Sequence, residues 1–226
     1  MAKKGVPPRP APRLYLATPV VDDPATLIAS LSPILGAFDI AAVLLRLKLA
    51  DQRGMISRIK AIAPVVQDGG TALLVDGMTE LVARGGADGA HLTGIAALKE
   101  ALESLKPDRI AGVGGLATRH DSMTAGELGT DYVLFGEPDA DGRRPSRQAV
   151  TERLAWWAEL FEPPCVGYAA SHEDVSAIVG AGADFVLVDN LVWADPRGAA
   201  AALSDLGRIM HEAFAAPSKS PNAVQG

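Results

Sequence analysis

Arg46 and Lys48 stand two residues apart at the end of an apolar run, Ile40 to Lys48, so in extended chain both project from one face. Two cations so placed suit a phosphate or pyrophosphate, whose oxygens accept several charge-assisted hydrogen bonds. Pairing with a carboxylate such as Asp76 would use them equally well. Asp76 itself follows Leu73-Leu74-Val75. A carboxylate there can hold Mg2+, which is commonly bound by one or two carboxylates plus substrate phosphates, or it can cap a helix opening at Gly77-Met78-Thr79. His91 interrupts the run Gly89-Ala90-His91-Leu92, where the choice lies between a buried, hydrogen-bonded imidazole and a proton carrier. Glu137 opens a charged segment ending at Ser146, in which Arg143 and Arg144 could swing onto a phosphate as the loop closes or stay an exposed loop. Val166-Gly167-Tyr168-Ala169 and Asp189-Asn190-Leu191 are turns able to offer backbone amides to a phosphate.

Such residues act together only if the fold gathers them. Apolar runs alternate along the chain with stretches of helical period, the pattern of a parallel α/β architecture. Eight strands are expected at Leu14–Val20, Ile40–Lys48, Thr71–Asp76, Gly89–Thr93, Arg109–Gly114, Tyr132–Gly136, Cys165–Ala169 and Phe185–Asn190. Between them apolar residues step in threes and fours, as in Leu27, Leu31, Ile34 and Leu35, or Val150, Leu154, Trp157 and Leu160. Asp23-Pro24 and Asp195-Pro196 read as helix starts, and Thr118 with Asp121 and Ser171 with Asp174 have capping-box spacing. A local repeat, Gly86-Ala87-Asp88-Gly89, Gly129-Thr130-Asp131-Tyr132 and Gly182-Ala183-Asp184-Phe185, closes a helix and opens a strand each time.

Eight units with a reused helix-ending turn predict a single-domain (β/α)8 TIM barrel over residues 13–215, with tails at 1–12 and 216–226. An open dinucleotide-binding sheet is the alternative, but Gly112-Val113-Gly114-Gly115 lacks the third glycine at the required spacing. In a barrel the site lies at the carboxyl ends of the strands. That rule selects Thr18, Arg46, Lys48, Asp76, His91, Thr93, Gly114, Gly115, Glu137, Gly167, Tyr168, Asp189 and Asn190, and the charged loop adds Arg143 and Arg144.

Composition excludes several classes. The 226 residues carry 21 Lys plus Arg against 27 Asp plus Glu, a formal net charge of −6, which speaks against sequence-independent nucleic-acid binding or an anionic lipid surface. Cys165 is the single cysteine, so no internal disulfide forms, and no Cys/His pair sits at zinc spacing. The apolar run after the basic N-terminus is too short for a membrane span and lacks a cleavage signal, so a cytoplasmic protein is expected.

Across residues 14 to 210 the layout resembles the thiamine phosphate synthase family with its thiazole tautomerase relatives. Gly86-Ala-Asp-Gly-Ala-His-Leu92, Gly129-Thr-Asp-Tyr-Val-Leu-Phe-Gly136 and Gly182-Ala-Asp-Phe-Val-Leu-Val188 are similar to strands of that family. The resemblance implies a transfer joining hydroxymethylpyrimidine pyrophosphate to thiazole phosphate with Mg2+ and release of pyrophosphate. It implies Arg46 and Lys48 on the pyrophosphate and Asp76 on the metal. Arg143 or Arg144 would replace a loop lysine, and Gly167 and Asn190 would hold the thiazole phosphate, with Asp189 in the same phosphate-binding turn as Asn190. Departures are specific. The glutamine of the family's Gln-x-Arg-x-Lys falls on Leu44, the amide beside the metal Asp on Val75, the second metal carboxylate on Ala96, the strand-five serine on Gly114 and the tautomerase histidine on Leu116. Besides the synthase, two functions remain in view: a phosphate-ligand-binding or regulatory barrel, and another phosphate-ester isomerase or lyase using His91, Glu137 or Asp189 as proton carrier. The expected partner is a small phosphorylated ligand. The family and the peripheral Trp156, Trp157 and Trp193 make a homodimer the assembly to test.

Overall fold

Alternation of short apolar strands with amphipathic helices produces the layout directly. The computed structural model describes residues 9–216, and the expected tail residues 1–8 and 217–226 lie outside the described residues. The elements are β1 (Arg13–Ala17), α1 (Pro24–Leu35), β2 (Ile40–Leu45), α2 (Gln52–Gln67), β3 (Ala72–Asp76), α3 (Thr79–Gly85), β4 (Gly89–Thr93), α4 (Gly94–Leu105), β5 (Ile110–Gly114), α5 (Arg119–Glu127), β6 (Tyr132–Phe135), α6 (Arg147–Leu160), β7 (Cys165–Tyr168), α7 (His172–Ala181), β8 (Phe185–Val188), α8 (Asn190–Trp193) and α9 (Ala199–Ala215). Neighbouring strands pair in parallel in sequence order and β1 pairs with β8, so the sheet closes. The closed ring is the expected (β/α)8 barrel and leaves no open sheet for the dinucleotide alternative.

Strand parity divides the core in two. Leu14, Leu16, Val43, Leu45, Leu73, Val75, Val133 and Val186 face outward and pack against the helices. Their alternates, Tyr15, Ala17, Leu44, Leu74, Tyr132, Leu134, Val166, Tyr168 and Leu187, form a separate cluster inside the barrel. Continuing that inward parity past the apolar layer leads to Arg46, Asp76 and Asp189.

The repeated turn has a physical account at the opposite face. Gly86, Gly129 and Gly182 each adopt a left-handed conformation that ends a helix. The Asp two residues later turns back to the neighbouring strand: Asp88 accepts from the Leu73 amide at 2.7 Å, Asp131 from Ala111 at 2.6 Å and Asp184 from Cys165 at 2.8 Å. These carboxylates fasten strand beginnings, far from the ligand end. Arg9 precedes β1 and pairs with Asp184 at 2.9 Å.

Helix starts follow the capping signals in three of four places. Asp23 and Ser171 accept from first-turn amides, and Thr118 with Asp121 forms a full capping box; such caps contribute about 1 kcal/mol each. The fourth expectation is corrected: Asp195 accepts from the Arg197 amide in a turn, and the long last helix starts at Ala199 with Gly198 as its cap. Asp76 is not a cap either, because α3 begins after Met78, which has a φ of 35° and makes no side-chain cap. Its carboxylate is thereby left to the barrel mouth.

Candidate active site

The strand ends surround a cavity of about 820 Å³ lined by Arg46, Asp76, His91, Glu137, Arg143, Arg144, Arg153, Tyr168 and Asp189, among others. Arg46 occupies one wall. Its Nη1 donates to Asp189 Oδ2 at 3.1 Å, and its Nε lies 3.6 Å from Asp76 Oδ2. Asp189, buried at the end of β8, also accepts from the Tyr168 hydroxyl at 2.9 Å. Burial pushes the Tyr168 phenol up to about 12, and the Asp189 carboxylate adds to the effect, so the hydroxyl stays a donor. Tyr168 and Asp189 thus fix the guanidinium of a side chain that lines the cavity.

A second constellation runs through the lumen. The Tyr15 and Tyr132 hydroxyls are 2.9 Å apart, Tyr132 Oη is 3.0 Å from His91 Nδ1, and His91 Nε2 is 3.3 Å from Glu137 Oε2. Burial raises both tyrosines well above their ordinary value, which keeps them neutral. The imidazole is therefore both buried and hydrogen-bonded, and it also lines the cavity.

Other residues singled out in the sequence go elsewhere. β2 ends at Leu45, three residues before the expected end, so Lys48 leaves the strand face. Its Nζ pairs with Asp22 at 2.6 Å, with the side chain 60% exposed and outside the cavity. Gly167 has outward parity: a Cβ there would meet Ile178 of α7 at 2.4 Å, so its role is close packing against that helix. Asn190 is exposed and does not line the cavity. Arg143 is engaged by Asp139 at 3.2 Å and by Asp141. Arg144 donates to the carbonyls of Gly136 and Tyr168 and pairs with Asp174, which makes it a clasp between β6, β7 and α7 rather than a swinging arm. Trp157 is fully buried and donates to the Pro163 carbonyl, and Trp193 donates to that of Ala17, so both serve packing within the chain.

Three site residues were not selected by reading strand ends: Tyr15, Tyr132 and Arg153. Inward parity would have found the tyrosines. Arg153 comes from α6, stacks on Phe135 and donates to the carbonyls of Leu116 and Ala117. Burial, and then the nearby Arg119 charge, hold it below its ordinary value. Among the described residues no carboxylate lies within 4.0 Å of its guanidinium, unlike the other three arginines of the cavity.

No group of three His, Cys, Asp or Glu side chains placed to hold a metal occurs among the described residues. Asp189 is committed to Arg46, Tyr168 and the Asn190 amide, and one oxygen of Glu137 to His91. Asp76 is partly exposed, with Arg46 as its one ion-pair partner among the described residues. This donor set fits an ion that arrives on phosphate oxygens and gains one protein carboxylate.

A closed eight-stranded parallel barrel whose inward strand-end residues converge on one polar cavity is a (β/α)8 barrel of the small-ligand type. The chain belongs to the thiamine monophosphate synthase family, whose model matches residues 14–191. A thiamine-phosphate synthase of Rhodospirillum centenum is 39% identical over 201 residues, covering 88% of this chain and 97% of that protein. One from Hyphomonas neptunium is 37% identical over 209 residues, covering 87% and 92%. The fold is shared with thiamine phosphate pyrophosphorylase from Pyrococcus furiosus, at a TM-score of 0.71 and 20% identity over 89% of this chain and 96% of that one. No helix among the described residues is long and apolar enough to cross a membrane.

Proposed function

We propose that this barrel makes thiamine phosphate, as the names of its relatives indicate for them, and that it does so by joining hydroxymethylpyrimidine pyrophosphate to thiazole phosphate with release of pyrophosphate. The observation that carries the reading is Arg46, held by Asp189 and Tyr168 and facing Asp76 across the strand ends inside a cavity large enough for two small ligands. In the transfer the bond from the pyrimidine methylene carbon to the pyrophosphate oxygen breaks, and its electron pair leaves with pyrophosphate. The thiazole ring supplies the pair for the new bond to that carbon. Negative charge grows on the leaving oxygen, so donors already aimed at it lower the barrier without reorganising. Arg46 offers such N–H groups from a position fixed before the ligand binds. Arg153 supplies a second cation from the α6 side, uncommitted to any described carboxylate. Asp76 is the residue that would hold Mg2+, whose charge neutralises phosphate oxygens when it is bound.

The test is formation of thiamine phosphate by purified protein with both substrates and Mg2+, with Asp76→Asn as control. Product that vanishes in the folded variant supports the reading. No product from folded wild-type protein refutes it, and saturable binding of the substrates without product would mark a ligand-binding barrel instead.

A further inference from the structure

The transfer written above moves no proton, so it gives no work to the buried chain Tyr15–Tyr132–His91–Glu137, which needs its own explanation. One assignment gives every proton in that chain an acceptor. Tyr15 donates to Tyr132, Tyr132 to His91 Nδ1, and His91 Nε2–H to Glu137 Oε2, with the imidazole neutral and the carboxylate ionised. The opposite direction leaves the Tyr15 proton with nowhere to go and sets a bare Nε2 against the carboxylate. The chain therefore holds Glu137 by one oxygen. The other, Oε1, is the buried side-chain polar atom without a hydrogen-bond partner among the described residues. Leaving an ionised acceptor buried and unpaired is costly, and a donor that pairs with it recovers that cost.

Strand five explains how a carboxylate reaches this place. Gly112 and Gly114 lie on the inward face of β5, two residues apart. A Cβ on Gly112 would fall 1.9 Å from Tyr132 Cζ, and one on Gly114 would fall 2.1 Å from Glu137 Oε1. Tyr132 and Glu137 occupy the two spaces those glycines leave. The Glu137 side chain is 19% exposed, toward a cavity it lines with His91 and Thr93. A carboxylate anchored on one oxygen, with the other buried and unpaired beside Gly114, is an acceptor for an N–H group that reaches it from the cavity.

We propose that Glu137 is a specificity-determining residue that accepts a hydrogen bond from an amino group on a heteroaromatic ring, with His91, Tyr132 and Tyr15 as its positioning residues. Under the proposed function, on which this inference rests, that ring is the pyrimidine of the pyrophosphate substrate. The Glu137 carboxylate then selects the ring while Arg46 and Arg153 meet the phosphates.

The experiment compares calorimetric binding of the amino-bearing pyrimidine pyrophosphate with that of the counterpart carrying hydrogen in place of the amino group. Both are titrated into wild-type protein, Glu137→Gln and Gly114→Ala, with thermal unfolding as the folding control and product formation assayed on the same samples. Wild-type protein is expected to favour the amino form by about ten- to hundredfold, the range of one hydrogen bond to a charged group. In Glu137→Gln the amide oxygen must face His91 Nε2–H, which turns the amide NH2 toward the ligand's donor and brings the ratio to one or below. Gly114→Ala displaces the carboxylate sterically and also collapses the ratio, while Tyr132→Phe, which removes the donor to His91, lowers it severalfold. Equal binding of the two ligands by wild-type protein, or an unchanged ratio in folded Glu137→Gln and Gly114→Ala, overturns the proposal. Turnover with no discrimination leaves the synthase reading standing and removes this inference, whereas discrimination without turnover does the reverse. Absence of both binding and turnover refutes the two together.

Discussion

Besides accepting from the Asn190 amide, the Asp189 carboxylate performs two tasks that replacing it separates. One oxygen serves both Arg46 Nη1, at 3.1 Å, and the Tyr168 hydroxyl, at 2.9 Å, while the other lies 3.0 Å from the same hydroxyl. In Asp189→Asn the amide oxygen still accepts from Tyr168 and the shape is kept, but the charge is lost. A bond to a charged partner contributes about 1.5–3 kcal/mol and a neutral one about 0.5–1.5 kcal/mol, so the exchange costs about 1 kcal/mol. Arg46 is 30% exposed and Asp189 only 11%, so solvent screens part of the Coulomb attraction and the lower end of the charged range applies. In Asp189→Ala the Tyr168 phenol, buried under Arg144, also loses its acceptor, which adds about 1–3 kcal/mol and brings the total to about 3 kcal/mol. For a domain of this size those values lower Tm by about 2–4 °C for Asn and about 6–12 °C for Ala. The assay is thermal unfolding followed by circular dichroism at pH 7. Equal losses in the two variants, or Ala within about 0.5 kcal/mol of wild type by the same conversion, would refute the account of Arg46 as a side chain held in place before the ligand arrives.

Two further outcomes follow from the same charges. Burial acts to raise Asp174, but hydrogen bonds from Arg147, the Ala170 amide and Arg144 outweigh it and hold the carboxyl below its ordinary value of 3.8. Its stabilising effect is then complete above the unfolded value and lost as pH falls through the lower folded one, so Asp174→Asn should flatten the decline of Tm between about pH 5 and 3; parallel declines in the two proteins would contradict this. Arg153→Met is expected to weaken binding of inorganic pyrophosphate about tenfold, and Arg143→Met less than about twofold, since Arg143 already serves Asp139 and Asp141. Calorimetric titration at fixed salt checks the order, and the reverse order would show that the loop arginine carries the ligand.

Most of the fold is legible in the chain because it is written locally. The period of the apolar residues sets each element, and the three Gly-x-Asp turns set where helices end and strands begin. Asp76 and Asp189 are legible for the same reason, since each closes an apolar strand on its inward parity. Lys48 is not, because where β2 stops depends on the pairing of Val21 with Leu47, a contact 26 residues apart. Gly167 misleads because a glycine signals closeness without saying to what, and only the neighbouring Val166 and Tyr168 in the lumen show that it faces α7. The ion pairs that retire Arg143 and Arg144 depend on where two loops come to rest, and Arg153 arrives from a helix that a search of strand ends passes over.

One departure from the family's motifs, at Gly114, is met by groups on a neighbouring strand. Gly114 stands where the family has a serine, and Gly112 precedes it on the same face, so β5 presents no polar side chain to the lumen. What the strand lacks, its neighbours supply: Tyr132 from β6 fills the space over Gly112, and Glu137 from the end of β6 fills the space over Gly114. A Cβ at either glycine would overlap these groups at 1.9 and 2.1 Å, so strand five and the Tyr132–His91–Glu137 chain can change only together. Likewise Tyr168 beside Gly167 brings the hydroxyl that orients Asp189, and through it Arg46. Counted strand by strand, the chain has lost polar groups. Counted by cavity wall, Glu137 and Tyr168 bring polar groups to the mouth of the barrel while the cation at Arg46 stays in place.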